Sequence, residues 1–596
     1  MLKQRIENIV RDALAKSLEQ GKLGQLETLP DSVAVDLPKN PEHGDKAISI
    51  AMKLSKEAKI APRMIAEAIA AELGSEIFSK VDIAGPGFIN LTLNWDLLEE
   101  SIAEIFSLDL DYGRIAKNDR ADKSFETVIV EYVSANPTGD LHLGHGRQAV
   151  LGSALVDLLR WAGYDASSEF YINDAGVQMG KLAASARQAI LIKAGELEES
   201  GYDAENNYPL AAMKEILFDE KWQAIDNQDL SSVTADDCGK IAKEIFLESQ
   251  KEILKVAGTE FECWYSELEN LHQGETTKVD AICQKMLEAG IAYENEGALW
   301  FKATEFGDER DRVLRKTDGY YTYLAADLAY HQDKLSRSDK LINLWGADHH
   351  GQIPGVMGAL EALGEDPKRL EIVLMQMVSL TKGGEEVKMS KRTGNFVTVR
   401  ELIEEVGVDA FRYFLLESQP NNRIVFDLEL ATKQDKDNPV YYVQYAHARC
   451  CGILRNLTEK QVDQTELPGN TLAVADGIMT EAELDHYFKA FTSATGLYSR
   501  AFANLNPEQH KSTKALILAL LNFPEEVKDA AASYSPYKIA NYIKELAALF
   551  HQFYTHNRVI NDDAELMKAR ISLVAASQKV LRNGLGILGI TAPERM

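Results

Sequence analysis

Cysteine is scarce in this chain, and its spacing forms no pairs. The five residues, Cys238, Cys263, Cys283, Cys450 and Cys451, are odd in number and contain no C-x-x-C spacing. That argues against a disulfide scaffold and against a thiolate zinc site, and a reducing cytoplasm is the expected setting. No run of about 18 apolar residues occurs, so no membrane span is expected. The opening stretch "MLKQRIENIVRDALAKSLEQ" alternates charge and aliphatic residues at helical spacing and does not fit a signal peptide. Basic charge is in deficit: 64 Lys and Arg face 92 Asp and Glu, a formal net charge of −28. Alone, this opposes a polyanionic partner, but nucleic-acid binding depends on local basic faces and not on the total. Internal repeats and low-complexity segments are also missing. At 596 residues the chain is too long for one core, which implies several domains.

What is present divides along the chain. Residues 1–110 mix helical "PRMIAEAIAAEL" with strand-like "SVAVDL" and "FINLTLN" and with turns such as "AGPGF", which predicts a small α+β domain. From about 120 to 435 the pattern becomes strand, Gly-rich turn, long helix. "ETVIVEYV" is a near-continuous β-branched run, as expected of a strand buried on both faces of a parallel sheet. The alternation is interrupted by a polar helical tract at about 181–285 and resumes through "LINLWGADHHGQ". The expectation is a multidomain chain with an α/β Rossmann-type domain, a parallel sheet and a helical insertion. Residues 436–596 read as an all-α bundle. In "SPYKIANYIKELAALFHQFYTHNRV", Ser535 is the expected N-cap and Pro536 the first helical residue, with Ile539, Tyr542, Ile543, Leu546, Phe550 and Phe553 on the apolar face.

Two stretches carry chemistry. "VIVEYVSANPTGDLHLGHGR" runs strand, turn, helix start, at the carboxyl end of the first sheet strand, where nucleotides sit against helix N–H groups. His142 and His145 are one turn apart and can face one ligand, as donors to phosphate oxygens. Gly144 and Gly146 leave room for an approaching adenine or phosphate. Chance would supply H-x-G-H only about 0.016 times in this composition. The second stretch, "EEVKMSKRTGNFVTV", begins its K-M-S-K 243 residues beyond His145. Lys388, Lys391 and Arg392 there suit gripping a triphosphate as pyrophosphate leaves. A basic loop alone is more often a solvated face; paired with H-L-G-H in a nucleotide fold, it reads as functional.

These two signatures resemble those of the class I aminoacyl-tRNA synthetases. "EYVSANPTGDLHLGHGR", "FYINDAG", "DGYYTYLAADLAYH", "WGADHHGQ", "DNPVYYVQYAHAR" and the terminal "PERM" narrow the likeness to the arginyl-tRNA synthetase family. Many members of that family have a degraded second signature, whereas this chain reads K-M-S-K in full. The resemblance implies activation of L-arginine by ATP, with Mg²⁺ carried on the nucleotide, and transfer to the 3′ end of tRNA(Arg). It implies catalytic roles for His142, His145, Lys388 and Lys391. ATP contacts would come from His142, Gly144, His145, Asp348, His350, Lys388, Met389, Ser390 and Lys391. Arginine would be held by Glu131, Asn136 and His145, with Tyr323 and Asp327 closing on the guanidinium. Carboxylates suit that ligand, since a guanidinium wants planar two-point acceptors. A metal site at Asp348-His349-His350 is not expected, because adjacent histidines on one strand face opposite sides. No protein-held metal is expected elsewhere.

The end regions are expected to grip tRNA. By resemblance, the N-terminal domain contacts the tRNA elbow and the C-terminal bundle the anticodon. Tyr442, Tyr445, Arg449, Lys538, Arg558 and Arg570 are the candidate residues, in a region that also holds Lys544, Lys568, Lys579, Arg582, Tyr542, Phe553 and Tyr554. Cations among aromatics suit unstacked bases and their phosphates. A monomer is expected, and most members of the family require bound tRNA before they activate arginine. Two other readings stay open: a class I synthetase for another amino acid, and a catalytically silent tRNA-binding relative.

Overall fold

The computed structural model describes residues 2–596 apart from 31, 37, 39, 41–42, 75–76, 223–232, 388–396, 459–480 and 492–494. The N-terminal region packs helices Leu2–Glu19, Ile50–Ala58 and Pro62–Glu72 on an antiparallel sheet. Its strands are β1 (Val35–Asp36), β2 (Lys46–Ile48), β3 (Phe78–Ala84) and β4 (Phe88–Leu93), in the order β1-β2-β4-β3. Gly87, in the β3–β4 turn, has φ 152°, and a Cβ there would lie 3.0 Å from the Pro62 backbone. Only glycine fits that close approach.

The central sheet contains β5 (Thr127–Glu131), β6 (Asp165–Ile172), β7 (Cys263–Ser266), β11 (Lys340–Gly346) and β12 (Leu370–Met375). All are parallel, in the order β12-β11-β5-β6-β7. β5 is buried along nearly its whole length, as its β-branched composition requires. The chain winds outward from β5 through β6 to β7, then returns to the other side of β5 for β11 and β12. The reversal point lies between β5 and β11, where α/β sheets open a crevice at their carboxyl ends.

The tract expected to be a helical insertion is more varied. Helices Val177–Lys193 and Ala235–Val256 pair around a core of their own, but β7 falls inside the tract and joins the main sheet. Its four residues are too short for periodicity to announce them. Beyond it lie helices Glu267–Leu271 and Lys278–Glu288 and a small antiparallel sheet of β8 (Ala292–Asn295), β9 (Ala298–Phe301) and β10 (Arg312–Arg315). A third small sheet joins β13 (Val378–Lys382), β14 (Glu385–Glu386) and β15 (Ile424–Asp427).

The described part of the C-terminal region is helical, built chiefly from Pro439–Thr458, Pro507–Ala532, Tyr537–His556 and Ala564–Ile587. All six expected apolar residues of the Tyr537–His556 helix are buried. Its start is displaced by one residue: Pro536 stands at the cap, and the Ser535 hydroxyl donates to Ser533 O. The two end regions meet directly. Glu99, fully buried on helix Trp95–Leu108, accepts from Thr495 N, Thr495 Oγ1 and Tyr498 N at 2.8–3.0 Å. Arg412 ties the same bundle to the central domain, donating to Leu588 O, Ala257 O and Ser153 Oγ.

Candidate active site

The first signature is built by a strained turn and a helix start. After β5, Val133 (φ 68°) and Ser134 (φ 43°) both occupy the left-handed region, which is costly for a β-branched residue. The strain turns Ser134 Oγ back to donate to Glu131 Oε1 at 3.0 Å, while Tyr171 N donates to the same hydroxyl. The chain then enters helix Leu143–Trp161 with His142 as N-cap. His142 Nδ1 accepts from Gly144 N at 3.1 Å, and His145 Nδ1 accepts the weaker 3.4 Å bond from His142 N. These bonds assign the proton of each neutral ring to Nε2. The rings stack with centroids 3.7 Å apart. Burial lowers the pKa of His142 from its ordinary value and, with His142 beside it, brings His145 down to about 3. Both imidazoles are therefore neutral donors at physiological pH.

The glycines of this motif serve the protein more than a ligand. A Cβ on Gly144 would lie 2.9 Å from the His142 ring, so its bareness admits the stacked pair. Gly146 is buried, with Phe411 and Val399 at 2.9–3.0 Å from a would-be Cβ. It makes room for packing, not for adenine. Arg147, also buried, donates to Gln376 O, Gln419 O and Asn422 O, and so clamps the base of β13 and β15 to the signature helix.

The expected ATP residues Lys388, Met389, Ser390 and Lys391 lie outside the described residues, as does Arg392. Their flanks do not. Leu143 N donates to Val397 O at 3.2 Å and Val399 N to Leu141 O at 2.9 Å, and His142 bridges Thr398. Thr398 then caps helix Val399–Val406. The segment that follows the second signature is thus laced to the backbone of the first.

Asp348, His349 and His350 are exposed, on a 3₁₀ turn (Ala347–Gln352) that follows β11. They do not lie on the strand itself, so the opposite-faces argument against a metal does not apply to them. Among the described residues, no three His, Cys, Asp or Glu side chains are grouped so as to hold a metal ion.

Beyond the imidazoles, the crevice becomes carboxylate-rich. Glu131, buried at the end of β5, takes the Lys334 ammonium on Oε2 at 2.5 Å. Asp327, half-buried on helix Tyr323–Arg337, has its carboxyl pushed up to about 7 by burial and by Glu131, with Lys334 opposing. Tyr323, one turn earlier, is 65% exposed, so its ring remains open to a ligand. The Asn136 side chain is exposed at the crevice, and its carbonyl is fixed by Gln250 Nε2 at 3.0 Å. The structure thus groups Glu131, Asp327 and their supports, while Asn136, Tyr323, Asp348 and His350 are exposed.

Sequence reading missed the supports. Lys334, His331 and Asn343 are buried beneath the carboxylates. Glu169 nearby accepts a bidentate pair from Arg337 at 2.8 and 3.0 Å and a bond from Tyr330 OH. The signal was available: Asp327, His331 and Lys334 fall at i, i+4 and i+7 of one helix face.

A second surface lies on the bundle. Tyr441 and Tyr445 stack in parallel at 6.3 Å, His551 lies 5.8 Å from Tyr445, and the Arg449 guanidinium sits over both Tyr445 and Tyr554. The Tyr442 ring lies 4.9 Å from His551, tilted against it. Arg558 is exposed; Lys538 is half-buried, with Nζ directed to Asp529 O. Arg570 is a correction. It is buried, donating to Arg558 O and Asn557 Oδ1, and no guanidinium is left for a nucleic acid. Lys579 and Arg582 are likewise engaged, both bound to Asp109. Tyr542 and Phe553 are core.

Comparison with known proteins agrees with this architecture. Family profiles match in succession: the arginyl tRNA synthetase N terminal domain over residues 4–93, the tRNA synthetases class I (R) catalytic domain over 112–435, and the DALR anticodon binding domain over 443–596. The arginine–tRNA ligase of Caldanaerobacter subterraneus subsp. tengcongensis is 41% identical, covering 100% of this chain and 99% of its own. That of Bacillus subtilis is 39% identical with the same coverage. A solved Campylobacter jejuni chain described as an arginyl-tRNA synthetase is 32% identical, with TM-score 0.71 over 85% of this chain and 100% of its own. Thermus thermophilus arginyl-tRNA synthetase, at 21% identity and TM-score 0.70 over the full length of both, shares the fold. With three consecutive domain matches and relatives that align end to end, the chain belongs to the arginyl-tRNA synthetase family of class I aminoacyl-tRNA ligases.

Proposed function

We propose that the chain activates L-arginine with ATP and transfers it to tRNA(Arg), with the crevice between β5 and β11 as the reaction site. The arginine carboxylate oxygen attacks the α-phosphorus, and the α–β P–O bond breaks with its electron pair leaving on pyrophosphate. The terminal ribose hydroxyl of the tRNA then attacks the adenylate carbonyl, and AMP departs. No covalent enzyme intermediate is needed, so the chain's work is positioning and charge stabilisation.

His142 and His145 donate Nε2–H to phosphate oxygens as negative charge builds on them, beside the N-terminus of the signature helix. Lys388 and Lys391 hold the departing pyrophosphate, with Met389 and Ser390 beside the nucleotide; Asp348 and His350 complete the ATP contacts, and Gly144 gives the paired rings their room. Mg²⁺ enters on the triphosphate and neutralises phosphate charge, its ligands being mainly phosphate oxygens and water. Glu131 and Asn136 hold the amino-acid end of arginine. Tyr323 and Asp327 close on its guanidinium. The Tyr441–Tyr445–Arg449 ladder receives unstacked anticodon bases, with Tyr442, Arg558 and Lys538 beside it, and the N-terminal domain contacts the elbow. One chain supplies all these groups, and the enzyme works as a monomer in the cytoplasm.

What supports this reading is a stacked pair of neutral imidazoles at the start of the helix that follows β5, together with the buried Glu131 at the end of β5 and Asp327 near it. ATP–pyrophosphate exchange across a panel of amino acids, with and without tRNA(Arg), tests it. Exchange specific to arginine is expected. Exchange with another amino acid, or none under either condition, overturns the assignment.

A further inference from the structure

Beneath the carboxylates lies a chain of hydrogen bonds whose direction is dictated at every link. Lys334, fully buried, donates Nζ to Glu131 Oε2 at 2.5 Å and to Asn343 Oδ1 at 3.0 Å. An ammonium can only donate, so the amide oxygen of Asn343 must face it and the amide NH₂ must face away. That NH₂ meets His331 Nε2 at 2.8 Å, which makes Nε2 an acceptor and puts the ring proton on Nδ1. Nδ1 then donates to the backbone carbonyl of Asp327 at 2.7 Å. Turning the amide over would set NH₂ against NH₃⁺, and a second proton on His331 would set N–H against NH₂. Neither alternative is tolerable in a dry site. Asn343 and Glu131 are register partners on β11 and β5, so the chain spans the strand switch itself.

We propose that Lys334, Asn343 and His331 form a positioning device for arginine specificity, in which one internal cation both orients Glu131 and, through a one-way hydrogen-bond chain, fixes the backbone that carries Asp327. This rests on the reading of Glu131 and Asp327 as carboxylates of the arginine pocket. Lys334 touches no substrate; it acts through Glu131 and Asp327. Its charge is needed because the carboxylates crowd: Asp327 is faced by Glu131 from β5, Glu267 from helix Glu267–Leu271, Tyr171 from β6 and Lys334 from its own helix. Glu169 and Tyr330 face the same ammonium, the Tyr330 ring at 4.1 Å. Without the ammonium, Glu131 would be a buried carboxylate lacking its cation, and the hold on Asp327 would weaken.

The test is steady-state exchange by full-length Lys334→Met and Asn343→Ala enzymes, with Asp327→Asn as control and circular dichroism to establish folding. For Lys334→Met we expect the arginine KM to rise about 30-fold while kcat falls less than about 3-fold and the ATP KM is unchanged. The acid limb of kcat/KM for arginine should also move to higher pH by about one unit, since Asp327 loses the cation that favours its charge. For Asn343→Ala, which keeps the Lys334–Glu131 pair and severs the chain to His331, we expect an arginine KM about 5-fold higher and no change for ATP. Proportional losses for both substrates in Lys334→Met, with the acid limb unmoved, would reduce the triad to a structural element. If Lys334→Met does not fold, Asn343→Ala decides, and a normal arginine KM there overturns the proposal. An Asp327→Asn enzyme with normal arginine kinetics would sink the pocket reading instead, a separate failure.

Discussion

The two ends of the crevice face opposite electrostatic tasks and meet them by opposite means. At the end proposed for arginine, carboxylates are gathered where water is scarce, and burial with Glu131 nearby pushes the Asp327 carboxyl up to about 7. The pocket stores an unfavourable negative charge that a guanidinium would relieve. At the end proposed for the nucleotide, the H-L-G-H stretch itself carries no formal charge. His142 and His145 are driven neutral by burial, and the formal cations belong to the Lys388–Lys391 sequence. On the proposed reading, a cationic ligand is met by buried carboxylates and a polyanionic one by neutral donors and a helix end. Neutral donors can be buried at little cost, whereas a buried cation beside them would need a counter-ion of its own.

Measurements in four groups would break or sharpen that contrast. The largest effect is expected at the charged end: Asp327→Asn should lower kcat/KM for arginine about 10²–10³-fold while changing the ATP KM less than about 3-fold. Equal effects on both substrates would make Asp327 structural. At the neutral end, His142→Ala or His145→Ala should slow exchange about 10²-fold without a selective rise in the arginine KM. Near-normal exchange would remove that ring from the nucleotide site.

The third is a pH dependence with a definite sign. Arginine needs ionised Asp327, so kcat/KM for arginine should fall about tenfold between pH 8 and pH 6, and Asp327→Asn should abolish that limb. The folded pKa, about 7, lies above the unfolded 3.8, so the stability this carboxyl contributes is full below about 4 and is lost as pH rises through 7. Ligand-free Asp327→Asn enzyme should therefore melt a few degrees higher than the parent at pH 8, by differential scanning fluorimetry; no gain would mean that the charge is not stored. The smallest effect lies far from the crevice. Arg449→Ala should raise the tRNA KM about 5-fold with arginine and ATP kinetics intact. Arg570→Ala should instead lower the melting temperature and leave the tRNA KM of the folded fraction unchanged, and a selective rise in that KM would return Arg570 to the surface.

The fold was legible where patterns were long. The β-branched run of β5, the turn after it and the 3.6-residue stripe of Tyr537–His556 announced their elements. β7 and the β8–β10 sheet escaped because four-residue strands carry too little periodicity. At the site, the family resemblance pointed to Glu131 and Asp327, and the H-L-G-H motif to the two histidines. Lys334 was passed over and Arg570 was placed on the tRNA surface for a shared reason: cations are read as surface by default, and only the geometry shows that each is buried against partners elsewhere in the chain. Gly146 misled differently, because bareness that admits a neighbouring ring looks the same in sequence as bareness that admits a ligand.

The buried Glu99 has a consequence for synthesis. Its hydrogen-bond partners Thr495 and Tyr498 are encoded 396 and 399 residues later. A ribosome adding about 5–20 residues per second reaches them roughly 20–80 s after Glu99 has been translated. Through that interval the first domain to emerge carries a carboxylate and an apolar helix face meant for the last one. The nascent chain must shield that face, by transient packing or by a chaperone, until its own final helices arrive to cover it.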